Sequence, residues 1–435
     1  VQRDAALPQS ADAVVMGGGI AGITAAYHLA RKGHSVAVVE KGYIAGEQSS
    51  RNWGWCRQQN RDLRELPLAQ RAVDMWSRLN EELGAETGFR RTGLVYVTTS
   101  RSDLDRWVGW SDKAREMQMR STVLSAAEAK AMSPGSTGNW IGGIHSPTDG
   151  RAEPALAVPA IAEGARRLGA TLHQDCAARG LETSAGRVSG VATEKGTIRT
   201  GAVLVAGGVW TSIFSRHHAI AIPLAGVRPT SFFTDPAPPI IDGGVSTPDF
   251  ALPRRLDGGY TVGISGRGML ELSPQGMMYV RPFWRTFKKR YKLITIRVGR
   301  SFFDGPEAIL NWRNDTVSPF ERMRTYDPPA QEKLVDFALK RIAKVYPELA
   351  KVKIAHKYGG LIDFTPDWIP LFPPIDKLPG LHLPAGFTGQ GFGIGPAAGR
   401  LAADIVANDS PIVDPHPFRY SRLVDGTDLG EPGLM

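Results

Sequence analysis

One stretch limits this chain more than any other. Asp12–Glu40 reads DAVVMGGGIAGITAAYHLARKGHSVAVVE. Ala13–Met16 is an apolar run short enough for a buried parallel strand, and it ends in Gly17-Gly18-Gly19-Ile20-Ala21-Gly22, which fits G-x-G-x-x-G. Small and apolar residues recur at helical spacing from Ile20 to Leu29, and Lys32-Gly33 supplies a basic last turn and a terminating glycine. Val36–Val39 is a second buried strand, closed by Glu40. The order is strand, glycine turn, helix, strand, acid.

Each part has a physical use. Gly17 permits the tight turn, Gly19 lets a pyrophosphate approach the backbone, and Gly22 allows helix and strand to pack closely. The N–H groups at Ile20 and Ala21 open the helix and face anionic oxygens. Glu40 lies 18 residues beyond Gly22, where it can accept hydrogen bonds from a ribose. A glycine-rich turn alone is weak evidence; with strand, helix and acid in place it predicts a bound dinucleotide, and the sequence after Glu40 favours FAD over NAD.

The rest of the chain is ordinary in bulk. It has 435 residues, 42% hydrophobic and 22% charged, enough for two domains with sizeable cores. Cys56 and Cys176 form no C-x-x-C pair and the nine histidines show no H-E-x-x-H spacing, so neither a disulfide framework nor a metal site is expected. The polar start, Val1–Ala11, carries no signal peptide, and no apolar run of about 18 residues is present. Net charge is +9, and Arg281–Arg300, RPFWRTFKKRYKLITIRVGR, holds eight Lys or Arg and no acid.

Along the chain, Lys41–Gly54 is a loop too long for a plain connection, which points to function. Helices are expected over Leu66–Leu83, Leu104–Met117, Pro154–Leu168, Gln331–Tyr346 and Pro396–Val406, the last opened by Pro396, with a capping box at Ser125–Glu128. Strands are expected over Gly93–Thr99, Thr171–Cys176, Val188–Thr193 and Ala202–Ala206. The expected fold class is α/β: a Rossmann-like FAD-binding domain in three pieces (10–85, 150–215, 355–410), interleaved with an α+β substrate-binding domain (86–149, 216–354) that carries a basic insertion at about 275–305.

The loop EKGYIAGEQSSR, Glu40–Arg51, and the stretch CAARGLETSAGRVSGVATEKGTIRTGAVLVAGGV, Cys176–Val209, resemble the bacterial membrane-associated L-amino acid deaminases, within the D-amino acid oxidase, glycine oxidase and sarcosine oxidase flavoproteins. The resemblance implies that Ser49, Ser50, Arg51, Asn52 and Gly54 lie along the flavin and that the backbone at Ala177 and Ala178 meets the adenine. It also implies that Gly389, Gln390, Gly391, Phe392, Gly393 and Ile394 meet the pyrimidine side of the isoalloxazine. Lys41, Gln48, Gly207 and Trp210 complete the expected cofactor set. The chain departs from the deaminases at Gln390, where they carry tryptophan, and at Asp363, where they carry a small residue. Tyr358–Asp367, YGGLIDFTPD, is nearer the flavin subunit of heterotetrameric sarcosine oxidases, and Ile362 stands where glycine oxidase-like members tend to have arginine. With no cysteine near Tyr358, FAD is expected to be held without a covalent link.

Amino acid oxidation needs a carboxylate clamp, a Cα–H aimed at the flavin and a neutral amine. Guanidinium suits the clamp because its donors match a carboxylate in pairs. Arg267 is the expected clamp, with Arg228 and Arg313 in reserve. Trp55 and Gln390 are expected as walls, and Asp363 as an ammonium partner or a loop-capping carboxylate. The expected activity is FAD-dependent deamination of L-amino acids to 2-oxo acids and ammonia; oxidation of secondary amines such as N-methyl amino acids or opines, or of D-amino acids, is the alternative. Oxygen or a membrane quinone chain would take the electrons. Phe283, Trp284, Phe287 and Tyr291 among the cations of 281–300 fit an anionic membrane surface, hence a cytoplasmic protein or one peripheral to the bacterial inner membrane. No nucleic-acid recognition motif accompanies the charge.

Overall fold

The computed structural model describes residues 1–372 and 374–430. Two sheets organise it. The first has five strands in the order Leu381–His382, Val203–Val205, β1 (Ala13–Met16), β2 (Val36–Val39) and Thr171–His173. All four pairings are parallel, with Val15 opposite both Leu204 and Val38. Parallel strands need crossovers, and β1 reaches β2 through the helix α1 (Ile20–Arg31).

Both faces of this sheet are buried, so its strands read as unbroken apolar runs. Alternation divides them between two cores. Ala13 and Val15 pack with α1 and with the helices Leu66–Leu83, Pro154–Arg167 and Gly391–Val406. Val14 and Met16 pack against a three-stranded antiparallel sheet, Ala178–Ser184, Arg187–Thr193 and Gly196–Arg199.

The second sheet has eight strands, in the order Ile354–Gly359, Thr230–Thr234, Thr261–Ile264, Phe250–Pro253, Gly244–Ser246, Leu94–Thr98, Gly142–Ser146 and Thr122–Ser125. The helix Glu332–Val345 covers it through Val335, Ala338 and Ile342. The strand Ile354–Gly359 corrects one expectation: it pairs with Thr230–Thr234 in this second sheet, so the return to the first lies beyond residue 359. Its sequence carries no mark of which partner it takes.

The basic segment forms the helix Val280–Arg290 and the strand Ile294–Val298, which runs parallel to Gly268–Leu272. The terminal helix also departs from expectation. It begins at Gly391 with Pro396 inside it. A proline there removes one backbone hydrogen bond, and burial of Phe392, Ile394 and Ala397 against α1 and its neighbours outweighs that loss.

Candidate active site

Two connected spaces meet at the first turn of the terminal helix. The narrower is a cleft along the ends of β1 and β2. Gly17, Gly19, Ile20, Ala21, Glu40, Lys41, Gln48, Ser49, Asn52, Ala178, Gly207 and Trp210 line it, and so, at its other end, do Ile362, Asp363, Gly389, Gly391 and Phe392. Gly17 has φ +110°, and a Cβ there would lie 2.4 Å from the Ala206 carbonyl. At Gly22 a Cβ would lie 2.2 Å from the Gly17 carbonyl, so α1 sits against the turn only because both positions are glycine.

This cleft fits FAD. The N-cap of α1 is Gly19, which has no side chain to stand between the helix N-terminus and a pyrophosphate; the Ile20 N–H donates to Ser49 Oγ at 2.9 Å. Glu40 accepts the N–H groups of Gly18 and Gly42, each at 2.7 Å, one on each carboxylate oxygen. Each oxygen keeps a further lone pair for a ribose hydroxyl. Burial raises the Glu40 carboxyl, against the pull of those two N–H donors. Val39, Ala178, Phe214 and Phe320 add apolar walls to the cleft.

Several expected cofactor residues stand elsewhere. Ser50, Gly54, Ala177 and Ile394 are not in the cleft lining. The Ser50 hydroxyl donates to the Glu47 carbonyl at 3.0 Å, Gly54 is a φ +74° turn against Ala152, and Ile394 is in the core. The Ala177 N–H is taken by Glu194 at 2.6 Å. Arg51 donates to the Tyr326 carbonyl at 2.6 Å, and it lines the wider space, as do Gln390 and Gly393.

That wider space is a cavity of about 810 Å³, which shares Gln48, Asn52, Ile362, Gly389 and Phe392 with the cleft. Aromatic rings run along one wall: Trp53 stands edge-on to Trp55 at 5.5 Å, Trp55 stacks on Tyr96 at 5.8 Å, and Tyr96 meets Trp107 at 6.0 Å. Trp53 is held by a 3.0 Å hydrogen bond to Ser231 Oγ, whereas Trp55 Nε1 is buried with no partner. Phe283, Trp284 and Phe287 of the basic helix close another side.

A polar group lies among these rings. Arg57, Asn60 and Arg61 line the cavity beside Gln390 and are almost entirely buried. Asp149 secures their loop by accepting the N–H groups of Gln58 at 2.9 Å and Gln59 at 3.1 Å. Burial pushes the Asp149 carboxyl up to about 6 despite these donors. Burial also lowers Arg61 to about 10, which leaves it cationic at neutral pH, 3.4 Å from Glu65. Sequence reasoning missed Trp53, Arg57, Asn60 and Arg61. The available signal was the i, i+4 spacing of Arg57 and Arg61 just ahead of an apolar helix.

The arginines expected as clamps are engaged otherwise. Arg267 is exposed at the cavity margin, its guanidinium 4.3 Å from the centre of the Phe337 ring. Arg228 pairs with Glu271 at 2.8 Å, and Arg313 is an exposed residue paired with Asp315. Asp363 is a loop-capping carboxylate: it accepts the Gly386 N–H at 2.6 Å, and burial raises it to about 6. The loop it caps is strained, with Thr388 at φ +52°, rare for a β-branched residue, between Gly386 and Gly389 at +70° and +73°.

A dinucleotide cleft that opens into a substrate-sized cavity describes a flavin-dependent oxidoreductase, and the chain belongs to that class: the family described as "DAO: FAD dependent oxidoreductase" matches residues 12–405. The protein is FAD-dependent, and its family acts on carbon–nitrogen bonds of amino acids. It is similar to the L-amino acid deaminase from Proteus myxofaciens in complex with anthranilate, at 29% identity and a TM-score of 0.92, covering 97% of this chain and 96% of that one. The Proteus vulgaris L-amino acid deaminase compares at 29% and 0.91, covering 97% and 99%. Among curated proteins, human mitochondrial sarcosine dehydrogenase is 27% identical over 425 residues, 96% of this chain; the chain spans 42% of that protein's length.

Proposed function

We propose that the protein oxidises the Cα–N bond of an L-amino acid with a large apolar side chain, giving an imino acid that water converts to a 2-oxo acid and ammonia. The observation that carries this reading is the cavity at the flavin end of the cleft, with aromatic walls and a cationic group at Arg57 and Arg61. Bound FAD supplies the two-electron acceptor. The chain supplies the rest: cations for the carboxylate, the Trp53, Trp55, Tyr96 and Trp107 rings for the side chain, and Asn60 Oδ1, a buried acceptor with no partner, for an amine N–H. The rings also exclude water, which strengthens each polar contact. Cys56 and Cys176 are buried and outside the cleft lining.

The similarity to the two deaminases supports this reading, and the sarcosine dehydrogenase similarity favours a second one, oxidation of an N-methyl amino acid. Anaerobic bleaching of the flavin by a panel of L-, D- and N-methyl amino acids is the test. Rapid bleaching by L-phenylalanine, L-leucine or L-methionine is expected. Bleaching by sarcosine alone would move the assignment to secondary amines. Readmission of air, then of a soluble quinone, identifies the acceptor, oxygen or quinone.

Residues 277–303 are proposed to rest on an anionic membrane. Met277, Val280, Trp284, Tyr291, Val298 and Phe303 are exposed there among the cations, and among the described residues no helix is long and apolar enough to cross a membrane. Each cation that reaches the surface contributes about 1 kcal/mol, screened over about 8 Å at physiological salt. Sedimentation with anionic vesicles at low salt is expected, with loss on changing Arg281, Lys288 and Lys292 to glutamate. A wild type that stays in the supernatant would end the proposal.

A further inference from the structure

Two arginines of the loop Cys56–Arg61 converge on one side-chain atom at the first turn of the terminal helix, Oε1 of Gln390. Arg57 Nη2 donates to it at 3.3 Å, and Arg61 Nη1 donates to the same oxygen. Arg61 is anchored: Nε donates to the Arg57 carbonyl at 3.2 Å, Nη2 reaches the Gln390 carbonyl at 3.5 Å, and Glu65 lies within 3.4 Å. Arg57 is less fully matched. It donates Nη1 to the Gln59 carbonyl, and among the described residues it has no carboxylate within ion-pair distance.

Two buried guanidinium groups therefore converge on a neutral amide oxygen. Glu65 and Asp149 act on Arg57 through space without a direct ion pair, and an amide oxygen compensates the remaining cost of its burial only in part. A carboxylate is the better partner, since it brings the opposite charge that an amide oxygen lacks and its two oxygens match the guanidinium donors in pairs. The Gln390 side chain is half-buried, sits in the cavity lining and stands between Gly389 and Gly391, which line the cleft. It can leave without breaking the helix, because it makes no capping hydrogen bond. Asn60, 3% exposed, adds an independent sign of a ligand: its Oδ1 is a buried acceptor without a partner, in the lining of the same cavity.

We propose that Arg57 and Arg61 form the binding site for the substrate carboxylate, and that Gln390 is its resident occupant, displaced when the carboxylate arrives. The proposal rests on the reading of the substrate as an amino acid. It sets a specificity: an amine lacking the carboxylate leaves Gln390 in place and gains nothing from the arginines, so amino acids are taken and the corresponding amines refused.

The test is titration of the FAD-loaded protein with benzoate, followed by the perturbation of the visible flavin band, with benzamide as the uncharged control. Wild type should bind benzoate saturably and benzamide weakly. Arg57→Met should weaken benzoate at least thirtyfold and leave benzamide unchanged; Arg57→Lys should fall between. Gln390→Ala should tighten benzoate about three- to tenfold by removing the occupant, and Gln390→Glu, which ties a carboxylate into the site, should abolish binding. Benzoate affinity within twofold of wild type in both Arg57 variants, or in Gln390→Glu, would overturn the proposal. If Arg57→Met does not retain FAD, the two Gln390 variants decide. A wild type neither bleached by any amino acid nor perturbed by benzoate would end the amino acid reading itself. One bleached by amino acids whose variants bind benzoate unchanged would end only the assignment of Arg57, Arg61 and Gln390.

Discussion

The cleft and the cavity meet at the same helix turn, yet they are built from different material. The critical close approaches in the cleft are backbone against backbone: Gly17 on Ala206, Gly22 on Gly17. Side chains from distant segments build the cavity: Trp53 and Trp55 from one loop and strand, Tyr96 and Trp107 from another strand and helix, Phe283 and Trp284 from the basic helix. A backbone wall cannot give way when an atom is added, whereas a side-chain wall can be exchanged one ring at a time. The cofactor half should fail all at once, and the substrate half should change gradually.

The largest effect is expected at Gly22. Gly22→Ala puts a methyl 2.2 Å from the Gly17 carbonyl, so the purified protein should lose most of its FAD and much of its thermal stability. Gly19→Glu separates the two losses: a Cβ there meets only Ser49 Oγ at 3.1 Å, so the fold should survive while the added carboxylate repels the pyrophosphate and the yellow colour disappears. A Gly19→Glu protein with a full flavin band would break the comparison from the cleft side.

Next come the cavity walls. Trp55→Ala removes an aromatic contact with Trp53 and another with Tyr96, and should lower kcat/KM about ten- to a hundredfold for a large apolar amino acid with FAD content intact. Loss of FAD in this variant would mean that the two halves are not separable.

Much of the cleft was readable in the sequence and little of the cavity was, for the same physical reason. A strand, a glycine turn and a helix are local, so Ala13–Glu40 carries its own geometry. Arg57 and Arg61 look like solvated charges until Asp149, 90 residues beyond Gln59, holds their loop inside. Arg267 was expected from its place along the chain, which says nothing of the side chain's direction; an exposed guanidinium on Phe337 is decided by the helix Glu332–Val345. Pro396 looked like the first residue of a helix because that is where proline costs least, and only the packing of 391–395 shows the extra turn.

A smaller effect tests Asp149. Its carboxyl, at about 6 in the fold against an ordinary 3.8, holds a proton that the unfolded chain has already released between those values. Wild-type stability from this group is therefore greatest below about pH 4 and declines as pH rises to 6. Asparagine does not titrate, so the melting temperature of wild type minus that of Asp149→Asn should fall across this window, by on the order of 1 °C for each kcal/mol in a chain of this length. A difference that rises with pH would reverse the assignment. The smallest effect is expected at Arg267: Arg267→Ala should leave kcat/KM within about twofold, and a tenfold loss would return the clamp to that position.

The parallel sheet beneath the cleft is threaded out of order. Its centre comes from residues 13–39, its flanks from 171–205, and its last strand from 381–382, after which Gly391–Val406 lies down on α1. During synthesis, then, the nucleotide-binding turn emerges early and waits for more than three hundred residues before the surface that completes it exists. Non-local closure of this kind is slow, and it leaves the strand Val203–Val205 without its outer neighbour, Leu381–His382, meanwhile. Flavin capture is thereby a late event, open only to a chain translated through the terminal helix, and chains stopped before residue 391 should remain colourless and depend on chaperones.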